Sequence, residues 1–245
     1  MNVSGFYQKV SNLPARYLMI DSDKRYSGTN VNWITNNVYT SSKYLRMRNI
    51  QFIKNVYNIN DYSYVIKVDA TSYNLPKGNY SINTLITALN ALGTPLTFSY
   101  SSTSNLITAT SGGTNTLDFT VGNQTLGYML GFTTRAGGSV VITGATVATY
   151  EVNLNYTKYC DLVSDTITRN SGASYGDAPA NILCRIPLEN YGFGSAIYEE
   201  YKTPIELAQC ENPLGNIDFR LIDDQGRELQ LDPNVGVSIV FDIII

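Results

Sequence analysis

Two aspartates near the start of the chain have the spacing of a metal site. Asp21 and Asp23 flank one serine, as in a DxD pair of carboxylates that could bind a divalent cation. Lys24 and Arg25 follow directly, and the pair comes at the end of a predicted strand. We therefore interpret this segment as a solvated turn and predict no metal ligands in it.

The other acidic pairs and the glycine-rich segments do not have the spacing of known sites. Glu199–Glu200 and Asp223–Asp224 are direct neighbours, which on a strand point to opposite faces, so neither forms a glycosidase pair by itself. The glycine-rich segments have neither GxxxxGK[ST] nor GxGxxG spacing, which predicts loops and not phosphate-binding sites. These segments are Gly112–Gly113, Gly137–Gly138 and Tyr191–Gly194.

The chain contains no histidine and three cysteines. Without histidine, Ser-His-Asp catalysis, Cys-His catalysis and the HExxH zinc site are excluded. Cys160, Cys184 and Cys210 are widely spaced with no CxxC pair, which indicates free thiols and no disulfide framework or zinc site. We predict no catalytic residues, no cofactor and no metal, and we do not expect an enzyme.

Polarity in this chain comes mainly from uncharged side chains. Charged residues are 15% of the 245 residues, below the roughly 25% usual for soluble domains, while tyrosine occurs 19 times. Tyrosine-rich surfaces with little charge suit contacts between subunits, although AT-rich codons produce the same bias.

The two ends of the chain differ in charge. Residues 1–54 carry eight Lys and Arg against two Asp, a net of +6, and residues 189–245 carry eleven acids against three bases, a net of −8. Such ends can pair within one subunit or between neighbours, or remain two solvated faces.

A basic segment with interleaved aromatic residues is a candidate for nucleic-acid contact. The overall pI near 5.0 limits this to a local patch. A strand edge that meets an acidic neighbouring subunit explains the same residues. The basic residues are Lys43, Arg46, Arg48 and Lys54, and the aromatic ones are Tyr44, Phe52 and Tyr57.

The order of predicted elements indicates an all-β chain, a single jelly-roll β-sandwich with one or two short helices. Ser81 is a predicted N-cap and Gly93 a predicted stop for a helix over Ile82–Leu92, and a short second helix covers Thr125–Leu130. The final strand, with which the chain ends, is expected to be held inside a sheet. Trp33 falls in a predicted loop over Ser22–Asn37. The predicted strands are Arg16–Asp21, Tyr44–Tyr57, Tyr62–Val68, Leu96–Ser101, Leu106–Thr110, Leu117–Val121, Val140–Thr143, Ala148–Tyr156, Tyr159–Val163, Asn181–Pro187, Ile217–Ile222, Glu228–Leu231 and Val237–Ile245.

Two turns and two boundaries complete this organisation. Asn58–Asp61 is predicted to join Tyr44–Tyr57 and Tyr62–Val68 in a hairpin, and Asp223–Gly226 to form a tight turn. Residues 1–15 are an expected N-terminal arm, and residues 16–245 the jelly-roll domain, with an inserted loop or surface lobe expected within 133–200. The sequence has no signal-peptide pattern and no apolar run near the ~20 residues of a membrane span. It is therefore expected to be made and assembled in the cytosol or nucleus.

Several segments in order resemble the penton (minor capsid) proteins of virophages and polinton-like viruses, which are single jelly-roll capsid proteins. Near the start, the apolar strand and Asp/Ser-rich turn over Tyr17–Arg25 are similar to that family. The middle and the end resemble it through a helix opening, compact corners and closing strands. These segments are Gly78–Ser81, Leu96–Phe98, Asn105–Thr108, Leu130–Phe132, Glu211–Leu214, Ile217–Phe219, Asp223–Gly226 and Val237–Ile243.

The resemblance implies structural work in the virion of a double-stranded DNA virus. It implies a homopentamer at the fivefold vertices of an icosahedral capsid, in contact with a double-jelly-roll major capsid protein. The N-terminal arm would tie to neighbours or carry positive charge toward the genomic DNA. Assembly would take place in the host cytoplasm or nucleus.

Two functions of other classes remain as alternatives. A carbohydrate- or receptor-binding β-sandwich, such as a fibre or spike module, would use Trp33 and exposed tyrosines as platforms. A carboxylate-based hydrolase is disfavoured because histidine is absent and no suitable acid pair is recognisable.

Overall fold

The computed structural model divides the chain into two compact units, which we call unit 1 and unit 2. It describes residues 16–39, 44–120, 124–167, 174–175, 178–179, 182–206 and 214–244. Unit 1 takes the described residues up to Asn55 and from Thr157 onward, and unit 2 is Val56–Tyr156. The expected arm over residues 1–15 lies outside the described residues.

Antiparallel strands make up most of the described secondary structure, with two α-helices and one 3-10 helix (Ser22–Lys24). The strands of the first half are β1 (Arg16–Asp21), β2 (Ser27–Gly28), β3 (Asn32–Tyr39), β4 (Tyr44–Ile53), β5 (Val65–Val68), β6 (Thr71–Asn74), β7 (Leu96–Ser101) and β8 (Leu106–Asp118). The helices are α1 (Ile82–Ala91) and α2 (Gln124–Met129). The remaining strands are β9 (Ser139–Val147), β10 (Tyr159–Val163), β11 (Ser174–Tyr175), β12 (Ala178–Pro179), β13 (Ile182–Pro187), β14 (Ala196–Glu206), β15 (Leu214–Asp223) and β16 (Val237–Ile244).

The strand order of unit 1 is that of a jelly roll. One sheet has the order β1-β16-β4-β14, and the other has the order β13-β10-β15-β3, with the short β2 beside β3. If the eight main strands are lettered B to I in chain order, the sheets read B-I-D-G and F-E-H-C, which is the eight-stranded jelly-roll arrangement. The predicted fold class is therefore confirmed by the topology of the chain itself.

Aromatic side chains join the two sheets in the core of unit 1. Phe219 on β15 lies 5.5 Å from Trp33 on β3 and 5.9 Å from Phe241 on β16, measured between ring centroids. All three rings are buried. On β16, buried Val237, Ile239 and Phe241 alternate with partly exposed residues, because successive side chains of a strand point to opposite faces. The final strand lies between β1 and β4, so the prediction that a sheet holds it is confirmed.

Unit 2 is a five-stranded sheet with α1 in contact with β7. Strand β8 is central, because β9 pairs with one side of it and β7 and β5 with the other. Leu85 and Leu89 of α1 are buried in the core of this unit. The predicted helix signals are confirmed, since the Ser81 hydroxyl accepts a hydrogen bond from the Thr84 N–H and Gly93 has a φ of +69°. None of the helices in the described part of the chain has the length and apolar character needed to cross a membrane.

The second unit lies at another place in the chain than the sequence predicted. An insertion was expected within 133–200, but unit 2 is Val56–Tyr156. Within the expected range, β10 and β13 are strands E and F of the jelly roll, whereas β9 belongs to the sheet of unit 2. Short strands separated by turns occur on both sides of Val56 and of Tyr156, so the strand pattern does not mark these boundaries.

The predicted hairpin across Asn58–Asp61 is not formed. Strand β4 pairs with β14 and β16, and β5 pairs with β6 and β8. The Asn58 amide instead bonds the backbone of Tyr80, donating to its carbonyl at 2.8 Å and accepting from its N–H at 2.9 Å. The Asn58 side chain thus takes the place of a strand partner and bonds a residue 22 positions further along the chain. Local sequence patterns do not reveal such a contact.

Three further local predictions differ from the structure. Two predicted strands are one continuous strand, β8, over Leu106–Asp118. The segment Ala148–Tyr156 is irregular, because its N–H groups bond to separate elements, including the Ala148 N–H to the Ile107 carbonyl on β8 and the Tyr150 N–H to the Gly131 carbonyl. Glu228 makes only an isolated bridge to Ile222.

Candidate interaction surface

Two of the acidic pairs act as structural caps in the part of the chain that is described. The Asp21 carboxylate accepts a hydrogen bond from the Asp23 N–H at 3.0 Å and caps the 3-10 helix, so the segment is the predicted turn. The Asp223 carboxylate accepts from the N–H groups of Gln225 and Arg227, both at 2.9 Å, and holds the turn that Gly226 completes at a φ of +76°. Among the described residues, no group of three or more His, Cys, Asp or Glu side chains could hold a metal ion.

Asp218 holds a turn of unit 1 by accepting backbone hydrogen bonds. Its carboxylate accepts from the N–H groups of Asp165 and Thr166, at 2.9 Å and 2.8 Å. Burial raises the pKa of Asp218, but these hydrogen bonds outweigh it and hold the pKa below its usual value. The carboxylate therefore stays ionised and serves the fold.

The candidate nucleic-acid strip is not formed as predicted. Lys54 is buried, and its Nζ donates to the carbonyls of Leu188 at 2.7 Å and Tyr191 at 2.6 Å. Burial lowers the pKa of Lys54. Phe52 is buried as well, and Arg48 lies 3.9 Å from Asp242. Tyr57 is half-buried and belongs to unit 2. The side chains of Lys43, Tyr44 and Arg46 lie outside the described residues.

The cysteines that the structure describes are free thiols, as predicted. Cys160 and Cys184 are both buried in unit 1. Burial raises the pKa of the Cys160 thiol, which keeps it protonated and unreactive. Cys210 lies outside the described residues.

The outward face of sheet β1-β16-β4-β14 exposes large apolar and uncharged side chains. We call this surface the outer face. The strand register places Met19 beside Val240 and Asn49 in one row. The next row contains Asp21, Ser238, Gln51 and Tyr198, and Ile53 beside Ala196 begins a third. Of these residues, Met19 is 65% exposed and Tyr198 is 51% exposed.

A pocket of about 370 Å³ opens beside β1. We call it the β1 pocket, and Lys24, Arg25 and Tyr26 are among the residues that line it. Tyr26 is 68% exposed. Thr35, on β3, also lines the pocket, and its hydroxyl is buried without a hydrogen-bond partner. A buried hydroxyl of this kind is unfavourable unless a partner reaches it.

A shallow groove of about 330 Å³ crosses the outer face near β14. Gln51, Ile53 and Tyr198 are among the residues that line it. Glu200 follows Tyr198 by two positions and therefore points to the same face of the sheet. The outer face thus has the β1 pocket at one edge and this groove near the other.

These surface residues were missed by sequence reasoning, although part of the signal was present. In Arg16–Asp21, buried Leu18 and Ile20 alternate with Met19, so the pattern already places Met19 outward. Val31, Trp33 and Thr35 also alternate, which would have placed Trp33 on a strand facing the core. Trp33 is fully buried, so it cannot be the sugar platform that the alternative function required.

No protein-family model matches the chain, and no curated protein matches its sequence. Among solved structures, the chain is similar to the mavirus penton protein, with 12% identity and a TM-score of 0.44 over 94% of this chain and 100% of that one. It is also similar to a chain of the Sputnik virophage, with 13% identity and a TM-score of 0.45 over 94% of this chain and 98% of that one.

Proposed function

We propose that the chain is a structural protein of a virus particle, a minor capsid protein that forms pentamers at the fivefold vertices of an icosahedral shell. Its partners would be other copies of itself and a double-jelly-roll major capsid protein. A fold alone does not define a function, so surfaces have to support the proposal. The sequence resemblance supplies the class of assembly.

The outer face is the observation that carries this proposal. Clustered apolar side chains on a protein surface mark contacts with other proteins, whereas single exposed apolar residues are common. Ile53 and Tyr198 are exposed together at the groove near β14, Met19 is exposed on β1, and the uncharged polar residues Asn49 and Gln51 lie between them. Aromatic residues and methionine are enriched at subunit interfaces, while charged residues are depleted at their centres.

The ionisable groups of unit 1 support structural work over catalysis. Asp161, Asp218 and Asp223 each accept hydrogen bonds or ion pairs from neighbouring strands and turns. A catalytic carboxylate would need a partner aimed at a shared open space. We therefore propose a virion component without enzymatic activity, in which contact of the N-terminal arm with genomic DNA is a secondary role.

Light scattering on the purified protein, at several concentrations and ionic strengths, tests the proposal. We expect a species near five times the chain mass of 27.1 kDa. A stable trimer would contradict it and favour a fibre or spike. Binding of the purified protein to a glycan array would favour the carbohydrate-binding alternative.

A further inference from the structure

We infer that neighbouring copies of this chain meet head to tail, with the β14 edge of one copy on the β1 pocket of the next. Tyr198 enters the pocket, and Glu200 faces Lys24 and Arg25. This inference rests on the proposed function and names the contact that closes its ring.

The two edges concerned are the opposite ends of one sheet. Strand β1 pairs only with β16, and β14 pairs only with β4, in the sheet order that the structure describes. A sheet edge presents unpaired N–H and C=O groups and invites contact with another chain. Because the two edges differ, a contact between them is heterologous, and repeated contacts of this type close into a ring when the rotation suits.

Exposed apolar side chains of unit 1 gather at these same two edges. Among the described residues, the large exposed ones are Met19 and Tyr26 on the β1 side and Ile53, Phe193 and Tyr198 on the β14 side. If the patch on the β1 side of one copy meets the patch on the β14 side of the next, both patches are covered. If one patch met the same patch of a second copy, the other patch would stay exposed.

The β1 pocket suits the side chain of a tyrosine. Its volume of about 370 Å³ falls in the range of roughly 300–1,000 Å³ that small-ligand pockets span, so one aromatic ring fits. The Thr35 hydroxyl in its lining has no hydrogen-bond partner. A tyrosine brings an apolar ring with a hydroxyl at its tip, which can donate to Thr35. Among the residues whose side chains are described, Tyr198 is an exposed tyrosine on the opposite edge.

Charge fixes the direction of the contact. Lys24 and Arg25 line the pocket, while Glu200 stands two residues from Tyr198 on the same face of β14. None of these three side chains makes an ion pair among the described residues. Arg25 is held in place by hydrogen bonds from its Nε to the Gly28 carbonyl at 3.0 Å and from its Nη1 to the Ser22 carbonyl at 2.9 Å. Opposite charges that face each other across an interface set its register and disfavour the reversed pairing.

Charge reversal tests the contact in the full chain. Lys24→Glu and Glu200→Lys should each raise the concentration of half-assembly about tenfold or more, and the double variant should return to within about threefold of wild type. Lys158→Glu is the matched control, because Lys158 is exposed and outside both edges. If the control combined with Glu200→Lys restores assembly equally well, the assigned pair is wrong.

Chemical cross-linking detects the contact even when no stable ring forms. In a Cys210→Ser background, Lys24→Cys with Glu200→Cys, treated with a short bismaleimide, should give a ladder of multimers, whereas this background alone and the two single variants made in it should not. A dimer from either single variant would show that an edge meets its own copy and would overturn the inference. No ladder from the double variant would overturn it as well.

The hydroxyl pair has its own test in a double-mutant cycle. Tyr198→Phe and Thr35→Val should each weaken assembly about threefold to tenfold, and the combination should weaken it no further than one of them. Independent effects that multiply would overturn the assignment of Tyr198 to this pocket. If five-copy rings form equally well in all of these variants, this contact is rejected and the proposed function stands. If the double cysteine variant gives the ladder but the protein forms closed rings of another number, the contact stands and the proposed function is rejected.

Discussion

Asp161 and Arg185 face each other across strands β10 and β13, and the guanidinium of Arg185 binds both carboxylate oxygens of Asp161 at 2.9 Å. Asp161 is fully buried, while the Arg185 side chain is about half exposed and lies 3.8 Å from the centre of the Tyr159 ring. The arginine thus covers a carboxylate that no solvent reaches. It ties strands E and F of the jelly roll together.

Replacing Arg185 should destabilise unit 1 strongly. In Arg185→Ala the buried Asp161 carboxylate loses its partner, and breaking a buried pair in this way costs on the order of 3 kcal/mol. Arg220→Ala is the control, because its partner Asp165 is mostly exposed and such surface pairs contribute less than about 1 kcal/mol. Urea denaturation of both variants measures the difference, and equal losses would contradict the burial argument.

Gly131 should tolerate no side chain. Its φ is +80°, and a Cβ built there would lie 2.0 Å from the Tyr150 carbonyl oxygen. We expect Gly131→Ala to lower the free energy of unfolding by about 3 kcal/mol or more, through both strain and overlap. Gly144 also has a positive φ but no atom within 4 Å of such a Cβ, so Gly144→Ala should cost only about 1 kcal/mol. Thermal unfolding of both variants measures the two losses, and a loss for Gly144→Ala as large as that for Gly131→Ala would contradict this prediction.

Asp118 should make stability depend on acid pH. Hydrogen bonds from Lys67 and Thr120 lower its pKa to about 2 in the folded chain, from 3.8. A group with a depressed folded pKa stabilises the fold fully above its unfolded pKa, and this contribution is lost as pH falls from about 4 through about 2. In Asp118→Asn this part of the pH dependence should disappear, as measured by chemical denaturation between pH 5 and pH 2. An unchanged profile in the variant would show that other groups are responsible.

Lys54 should fix the connection that follows β13. Its Nζ donates to two carbonyls of that segment, at Leu188 and Tyr191, and the Gly194 N–H donates to the Lys54 carbonyl. Lys54→Met keeps the length of the side chain but leaves both carbonyls without this donor, which costs about 1–3 kcal/mol. Amide hydrogen exchange should speed up at Tyr191 and Gly194, whereas exchange in unit 2 should not change. Uniform acceleration in both units would argue against a local role.

Local signals in the sequence account for much of the fold. Alternation identified β1, β15 and β16, and the capping pair Ser81 and Gly93 identified α1 with its ends. These features depend on residues close together in the chain. The many short strands with turns between them predicted a jelly roll, and the strand order confirms it.

Long-range contacts account for the features that were missed. The start of unit 2 depends on the Asn58 amide bonded to the Tyr80 backbone, and the irregular path of Ala148–Tyr156 depends on the close approach of Gly131 to Tyr150. Neither contact has a periodic signature. The β1 pocket combines residues from β1, the following loop and β3, so its unpartnered Thr35 hydroxyl emerges only in three dimensions.

Native mass spectrometry of the purified chain most directly tests the claim that this jelly roll builds a capsid vertex. Each assembly is then counted in whole chains of 27.1 kDa. We expect a closed species of five chains that survives dilution better than any open assembly of fewer copies. A closed species of two, three or six chains, or monomers at every concentration, would contradict it.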